Sequence, residues 1–253
     1  MKNKTFREER SGQILVITAL VISLLIISTT QYFYQLQAEN KANEKIPTEI
    51  LLAIKVGAFR TVEVSLANIT NGGSNTTLEE NVNEWIKSLR IRNTYGILVA
   101  NTSLWNIPPY NSGLLINWSE NGYGISSACT NFSFRLLGTK FDVHFDFFAN
   151  ITTTLRVDGY YQIQGGEKNV VLICEVLNEG NPALAKGFEV SYYNGTRWIN
   201  VEDFSLTDYG NGTYRITFNA IVESKDVNVS VGVIDTRGIY AQANKTLQRS
   251  RKT

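Results

Sequence analysis

Asp208-Tyr209-Gly210-Asn211-Gly212-Thr213-Tyr214-Arg215-Ile216-Thr217-Phe218 is the stretch that decides the fold of the C-terminal part of the chain. Two glycines and an Asn make a turn that accepts left-handed backbone, and Tyr214, Ile216 and Phe218, at every second position, give the following strand one apolar face. A second turn lies upstream, where Tyr192-Tyr193-Asn194-Gly195-Thr196-Arg197-Trp198 sets an Asn-Gly corner between aromatic flanks, a strong hairpin signal. Working outward, strand-like runs occupy Thr153 to Ile163, Val170 to Leu177, Phe188 to Tyr193, Arg197 to Asn200, Tyr214 to Ile221, Val227 to Val233 and Tyr240 to Leu247. Turn residues punctuate them and no helical period interrupts them, so residues 152–248 are expected to form an all-β sandwich.

The Asp-x-Gly-x-Gly-x-Tyr corner and its strand resemble those of immunoglobulin-like domains of the filamin and bacterial surface-repeat type. This resemblance implies an immunoglobulin-like sandwich but no particular function, because such sandwiches serve adhesion, spacing and binding alike.

Upstream of the sandwich the period changes. Ile50, Ile54, Phe59, Val62 and Leu66 recur near the helical repeat and predict a helix from about Thr48 to the turn-rich Asn68-Ile-Thr-Asn-Gly-Gly-Ser-Asn75. Thr77-Leu78-Glu79-Glu80 reads as a capping box opening a second helix, whose stripe is Leu78, Val82, Trp85, Ile86 and Leu89. Strands at Tyr95 to Leu104, Gly113 to Trp118, Gly122 to Leu137 and Phe141 to Ile151 then supply a sheet for the helices to cover. Residues 45–151 are expected to be an α+β lobe.

At the N-terminus no charged residue or His occurs between Ser11 and Ala38, and Ile14 to Ile27 holds eleven Ile, Leu or Val among fourteen residues. At roughly −0.3 to −0.6 kcal/mol each, these predict insertion into a bilayer. With Tyr32, Phe33 and Tyr34 at the far interface, residues 13–44 are expected to be a transmembrane helix and its extension. Lys2, Lys4, Arg7 and Arg10 precede it, so residues 1–12 are expected in the cytoplasm and the remainder outside, a single-pass membrane location. A cleaved secretory signal is the rival reading, but no A-x-A site closes the apolar run. The start, Met1 to Ile17, resembles the leader and first helix of archaeal type IV pilin-like and archaellin-like proteins. That resemblance implies cleavage between Gly12 and Gln13 and packing of the apolar helix with other pilin-like subunits.

From residue 68 onward N-x-S/T triplets fall at Asn68, Asn75, Asn101, Asn117, Asn131, Asn150, Asn194, Asn211, Asn228 and Asn244. The chain's Asn, Ser and Thr content gives about four by chance, so the excess points to N-glycosylation. Cys129 and Cys174 lack the close spacing of zinc or redox sites and read either as two buried thiols or as one disulfide between the lobes.

The rest of the chemistry is sparse. Among 253 residues there are 24 Lys and Arg against 23 Asp and Glu, a net charge of +1 that supplies no field for nucleic acid. A single His, His144, alternates with Asp142 and Asp146 on one strand face, a spacing too wide for three neighbouring ligands to meet on one ion. Gly165-Gly166 and Asn71-Gly72-Gly73 lack the context of a phosphate loop. No catalytic motif stands out, and 23 acids single out no carboxylate pair. Trp105, Trp118 and Trp198 are available to stack on sugars or to fill a core. Residues 249–253 read as a basic, solvated tail. The expected protein is a non-enzymatic, membrane-anchored, N-glycosylated structural or adhesive element with no cofactor and no metal. Its expected partners are the lipid bilayer, itself or other pilin-like subunits, and an envelope component or carbohydrate. The alternative is an anchored binding module that presents the sandwich.

Overall fold

The computed structural model describes residues 19–35, 48–93, 96–138 and 141–250. The chain forms two compact units, Met1–Glu49 and Ile50–Thr253. In the first, residues 19–35 are helical (α1), and Leu20, Ile22, Leu24, Leu25, Ile26 and Ile27 on it are all exposed. The hydroxyls of Ser23, Thr29 and Thr30 donate back to carbonyls one turn earlier.

The expected membrane anchor does not stand. Among the described residues no helix is long and apolar enough to cross a membrane. The described part of α1 spans about 26 Å at 1.5 Å per residue, against a hydrocarbon core of about 30 Å. Its second half carries Ser28, Thr29, Thr30, Gln31 and Gln35. The transmembrane helix over 13–44 and the single-pass location derived from it are therefore corrected. The leader, residues 1–12, and its junction at Gly12 and Gln13 lie outside the described residues, as do residues 251–253.

The body begins with α2 (Thr48–Thr70) and α3 (Thr77–Arg92). The periodic residues of the sequence supply their inner faces: Ile54, Val62, Leu66, Leu78, Val82 and Ile86 are buried in one cluster. Gly57 lets α2 approach the Trp85 ring of α3, since a Cβ there would stand 3.0 Å from the indole. The capping box does not form. The N-cap is Thr76 with helical backbone and no side-chain cap, so Thr77 is already the first helical residue.

Strands β1 (Ile97–Leu104), β2 (Leu114–Trp118), β3 (Tyr123–Leu137) and β4 (Asp142–Gln164) form an antiparallel sheet beneath the helices, with β1 and β2 following one another along one edge of β3 and β4 along the other. Its inner face carries stacked rings, Phe132 with Phe134 and Phe147, and Trp85 meets Phe132 edge-on at 5.8 Å. The following strands are β5 (Glu167–Asn178), β6 (Asn181–Pro182), β7 (Ala185–Tyr193), β8 (Trp198–Asn200), β9 (Ser205–Asp208), β10 (Thr213–Ala220), β11 (Val227–Asp235) and β12 (Tyr240–Arg249).

Two lobes with a sheet each are thus replaced by one hydrogen-bonded system of 12 strands. The physical cause is β4. It runs past the expected boundary at 151/152 without a break, pairing with β3 through Arg156 and with β5 from Thr153 onward. Downstream of that junction β9-β10-β5-β4 and β8-β7-β11-β12 enclose a common core of Leu155, Leu172, Val176, Ile216, Val229, Val231 and Leu247. This is the strand order of an immunoglobulin-like sandwich. A two-residue parallel contact, Gln248 with Tyr160 and Arg249 with Tyr161, joins its halves.

The corner that opened the reading acquires a physical role for each residue. Asp208 accepts from the Gly210 N–H at 2.7 Å, and Asn211 from the Thr213 N–H at 3.1 Å. Gly212 has φ +76°, and a Cβ there would press on the Val176 carbonyl at 2.8 Å and the Ala183 nitrogen at 2.9 Å. Tyr214 is buried, and its hydroxyl accepts from the Ala185 N–H at 2.8 Å.

A buried ionic clasp ties the β11–β12 turn to β4 and to the turn after β5. Asp235 is fully buried and accepts from the N–H groups of Arg237 and Ile239, the Thr153 hydroxyl and Arg237 Nε, each at 2.9 Å. Arg237 also donates to Glu179 at 2.7 Å and to the Thr152 carbonyl at 3.0 Å.

Candidate functional site: a polar groove on the sandwich

The outer face of β8-β7-β11-β12 is concave, and the register explains why. One row across it reads Trp198, Tyr193, Asn228, Thr246; the next reads Asn200, Ser191, Ser230, Asn244; a third reads Glu189, Gly232, Gln242. Direct partners share a face. Alternation in β11 sends Val229, Val231 and Val233 into the core and turns Ser230 and Gly232 to the outer face, where the Tyr240 ring covers Gly232. The middle of the face is therefore built from Ser191, Ser230 and Gly232. Bulk stands at its margins, in Trp198 on one side and Tyr240 on the other. The result is an open groove of about 670 Å³.

Its lining is fixed by hydrogen bonds. Gln242 Nε2 donates to Ser230 Oγ at 2.9 Å and to Asn244 Oδ1 at 3.3 Å, while the Tyr240 hydroxyl donates to Gln242 Oε1 at 3.1 Å. Trp118 packs edge-on against Tyr240 at 5.3 Å and holds that ring. A Cβ on Gly232 would strike the Tyr240 phenol, so only glycine leaves the ring in place. Burial pushes the Tyr240 phenol upward, and the negative charge of Glu189 adds to this. It stays a neutral donor through the physiological range. Glu189 and Glu202 line the groove and, among the described residues, no Lys or Arg does. Such a surface offers an aromatic face, hydroxyls, amides and carboxylates, and no cation to hold an anion.

Of the three tryptophans singled out in the sequence, Trp198 is 47% exposed and sits in the groove. Trp105 and Trp118 are half-buried against Phe148 and Tyr240. Sequence reasoning missed Glu189, Ser230, Gly232, Tyr240 and Gln242. The available signal was Gly232 inside an otherwise apolar strand, a mark of close approach.

None of the ten triplet asparagines is buried. Asn68, Asn75, Asn101, Asn117, Asn150, Asn211 and Asn228 are exposed, and Asn131, Asn194 and Asn244 are half-buried. Asn101, Asn117, Asn131 and Asn150 share the face of the β1–β4 sheet opposite the helices, as the register requires. Asn194 sits in a turn, its Oδ1 accepting from the N–H groups of Thr196 and Arg197.

Cys129 and Cys174 are free and buried. Cys129 pairs with Asn150 and Cys174 with Val157, seven positions apart on β4 and on opposite edges of it. Strand rise alone separates them by about 24 Å, whereas a disulfide needs Cα atoms within about 7 Å. The bridge is excluded and the two-thiol reading stands. Burial pushes the Cys174 thiol up to about 12 and raises Cys129 as well.

His144 lies 3.2 Å from both Ser133 Oγ and Asp146 Oδ1, while Asp142 is held by Arg135, whose hydrogen bonds depress its carboxyl. Among the described residues no group of three or more His, Cys, Asp or Glu is placed to hold a metal ion.

No protein-family model matches the chain, and no characterised protein does. A solved chimeric titin Z1Z2 functionalized with an exogenous KLER peptide from decorin is similar over 61% of this chain and 82% of its own, at 14% identity and a TM-score of 0.21.

Proposed function

We propose that the chain is a non-enzymatic adhesive glycoprotein that binds a neutral or cationic saccharide in the groove of its immunoglobulin-like sandwich. The groove itself carries this reading. It combines a half-exposed indole with a preset ladder of amide and hydroxyl groups, the mixture of one stacking surface and a few fixed polar groups that small-ligand sites use. Its two carboxylates and lack of cations disfavour acidic sugars.

The test is a glycan array probed with the full chain and with Trp198→Ala. Binding to neutral or amino sugars that disappears in the variant supports the proposal; retention of acidic glycans alone sinks it. Turnover of a bound oligosaccharide, lost in Glu189→Gln or Glu202→Gln, would replace adhesion by hydrolysis.

A second reading has its own observation. Helix α1 exposes seven large aliphatic side chains among the eight residues Leu20 to Ile27, together with Tyr32, Phe33 and Tyr34. A helix apolar on all sides needs a partner. Packing with the same helix of other copies, as the pilin-like start implies, would supply one. Sedimentation of the full chain as filaments or large oligomers supports that reading, and a monomer at all concentrations opposes it.

A further inference from the structure

We infer that the groove is closed by glycans attached at its own end of the face, at Asn244 in the groove and at Asn228 in the pocket beside it. The inference rests on the reading of the groove as a saccharide site. Asn228-Val229-Ser230 on β11 and Asn244-Lys245-Thr246 on β12 are two triplets in opposed register, with Asn228 across from Thr246 and Ser230 across from Asn244. The hydroxyl of Thr246 donates to Asn228 Oδ1 at 2.8 Å, and Gln242 donates to Asn244 Oδ1 at 3.3 Å. Both amide oxygens are therefore held. Neither Nδ2, the atom that receives a glycan, has a hydrogen-bond partner among the described residues.

Asn244 lines the main groove, and Asn228, Asn244 and Trp198 together line a smaller pocket of about 110 Å³ beside it. Asn228 shares a row with Trp198 two strands away, about 10 Å at the usual strand spacing. A sugar on Asn244 starts in the main groove and one on Asn228 in the smaller pocket, and Trp198 lines both.

Modification joins Nδ2 to the anomeric carbon of an oligosaccharide carried on a lipid diphosphate. The carbon–oxygen bond to the diphosphate breaks, and one amide proton leaves. Each linked amide keeps its Oδ1 acceptor, so the ladder survives and only the groove is filled. The unmodified protein is open to an external saccharide; the modified one is capped by its own.

The experiment compares the full chain from a host that does not N-glycosylate, the wild type from a glycosylating host with site occupancy mapped by mass spectrometry, and the double variant Asn228→Gln, Asn244→Gln from that same host. The readout is oxidation of Trp198 by N-bromosuccinimide. Loss of Trp198 oxidation in the glycosylated wild type and its return in the double variant, with the other triplets still occupied, is the expected result. Release of the glycans from the folded wild type by an amidase, which hydrolyses each linked amide and leaves Asp, gives a second comparison in which the groove is emptied after folding. Equal oxidation with and without the two glycans overturns the inference, as does finding both asparagines bare while other triplets are filled. Since oxidation needs no external ligand, it decides the gate by itself, whereas an unglycosylated chain that binds no saccharide removes the proposed function alone.

Discussion

Replacing Asp235 by Ala removes four hydrogen bonds at once from a carboxylate with no exposure, leaving the N–H groups of Arg237 and Ile239 and the Thr153 hydroxyl without their acceptor. It also strands a guanidinium whose side chain is only 16% exposed. Removing one partner of a buried ion pair costs about 3–5 kcal/mol, and two buried donors left unmade, at about 1–3 kcal/mol each, give the same range from another direction. Arg237 has a second carboxylate, Glu179, but that one is 42% exposed and solvent screens it. Glu179→Gln should therefore cost about 1 kcal/mol or less. Guanidinium denaturation of the full chain, with variants compared at unchanged m-value, measures both. Asp235→Ala within about 1 kcal/mol of wild type, or Glu179→Gln as damaging as Asp235→Ala, would refute the reasoning that burial, rather than ion-pair count, sets the strength of the clasp.

Gly212→Ala combines a positive φ with pressure on the Val176 carbonyl and the Ala183 nitrogen, and should lower the thermal midpoint, whereas Gly210→Ala, where nothing lies within 4 Å, should cost only the strain of its φ of +74°. Cys174 has a folded value raised to about 12 by burial, so its stabilising contribution is complete below the unfolded thiol value near 8.5 and is lost as pH rises toward 12. The stability gap between wild type and Cys174→Ala should accordingly narrow by about 1 kcal/mol per pH unit above pH 9, measured by denaturation at pH 8 to 10.5. Trp198→Ala should abolish saccharide binding while leaving stability within about 0.5 kcal/mol, because a half-exposed side chain away from the core contributes little to folding.

What the sequence disclosed and what it hid divide along physical lines. Period carried the helices, since Ile54, Val62, Leu66, Leu78, Val82 and Ile86 are the residues that turn inward. Turn chemistry carried the sandwich, because Asp208 to Tyr214 can adopt few other conformations. Short pieces with no period of their own, β6 at Asn181–Pro182 and β9 at Ser205–Asp208, went unread. The continuity of β4 was equally hidden, because Ile151 to Thr154 favours a strand but interrupts the apolar alternation, and only pairing with β3 and β5 on both sides shows that one strand crosses it. An apolar run beginning at Ile14 suggested a bilayer span, but the described helix continues into Ser28 to Gln31 and stays too short. The groove depends on which residues of four strands lie side by side. Glu189, Gly232 and Gln242 are scattered over 54 positions and meet only through register. Trp198 and, as an N-x-S/T site, Asn244 could be flagged in advance.

The most direct test of the account is a nuclear magnetic resonance titration of the unglycosylated full chain with the best saccharide from the array. Shifts concentrated at the Trp198 indole N–H and the Gln242 side-chain amide, absent in Trp198→Ala, are the predicted result. Saccharide binding that leaves these two groups unmoved, or that persists unchanged in Trp198→Ala, would contradict it.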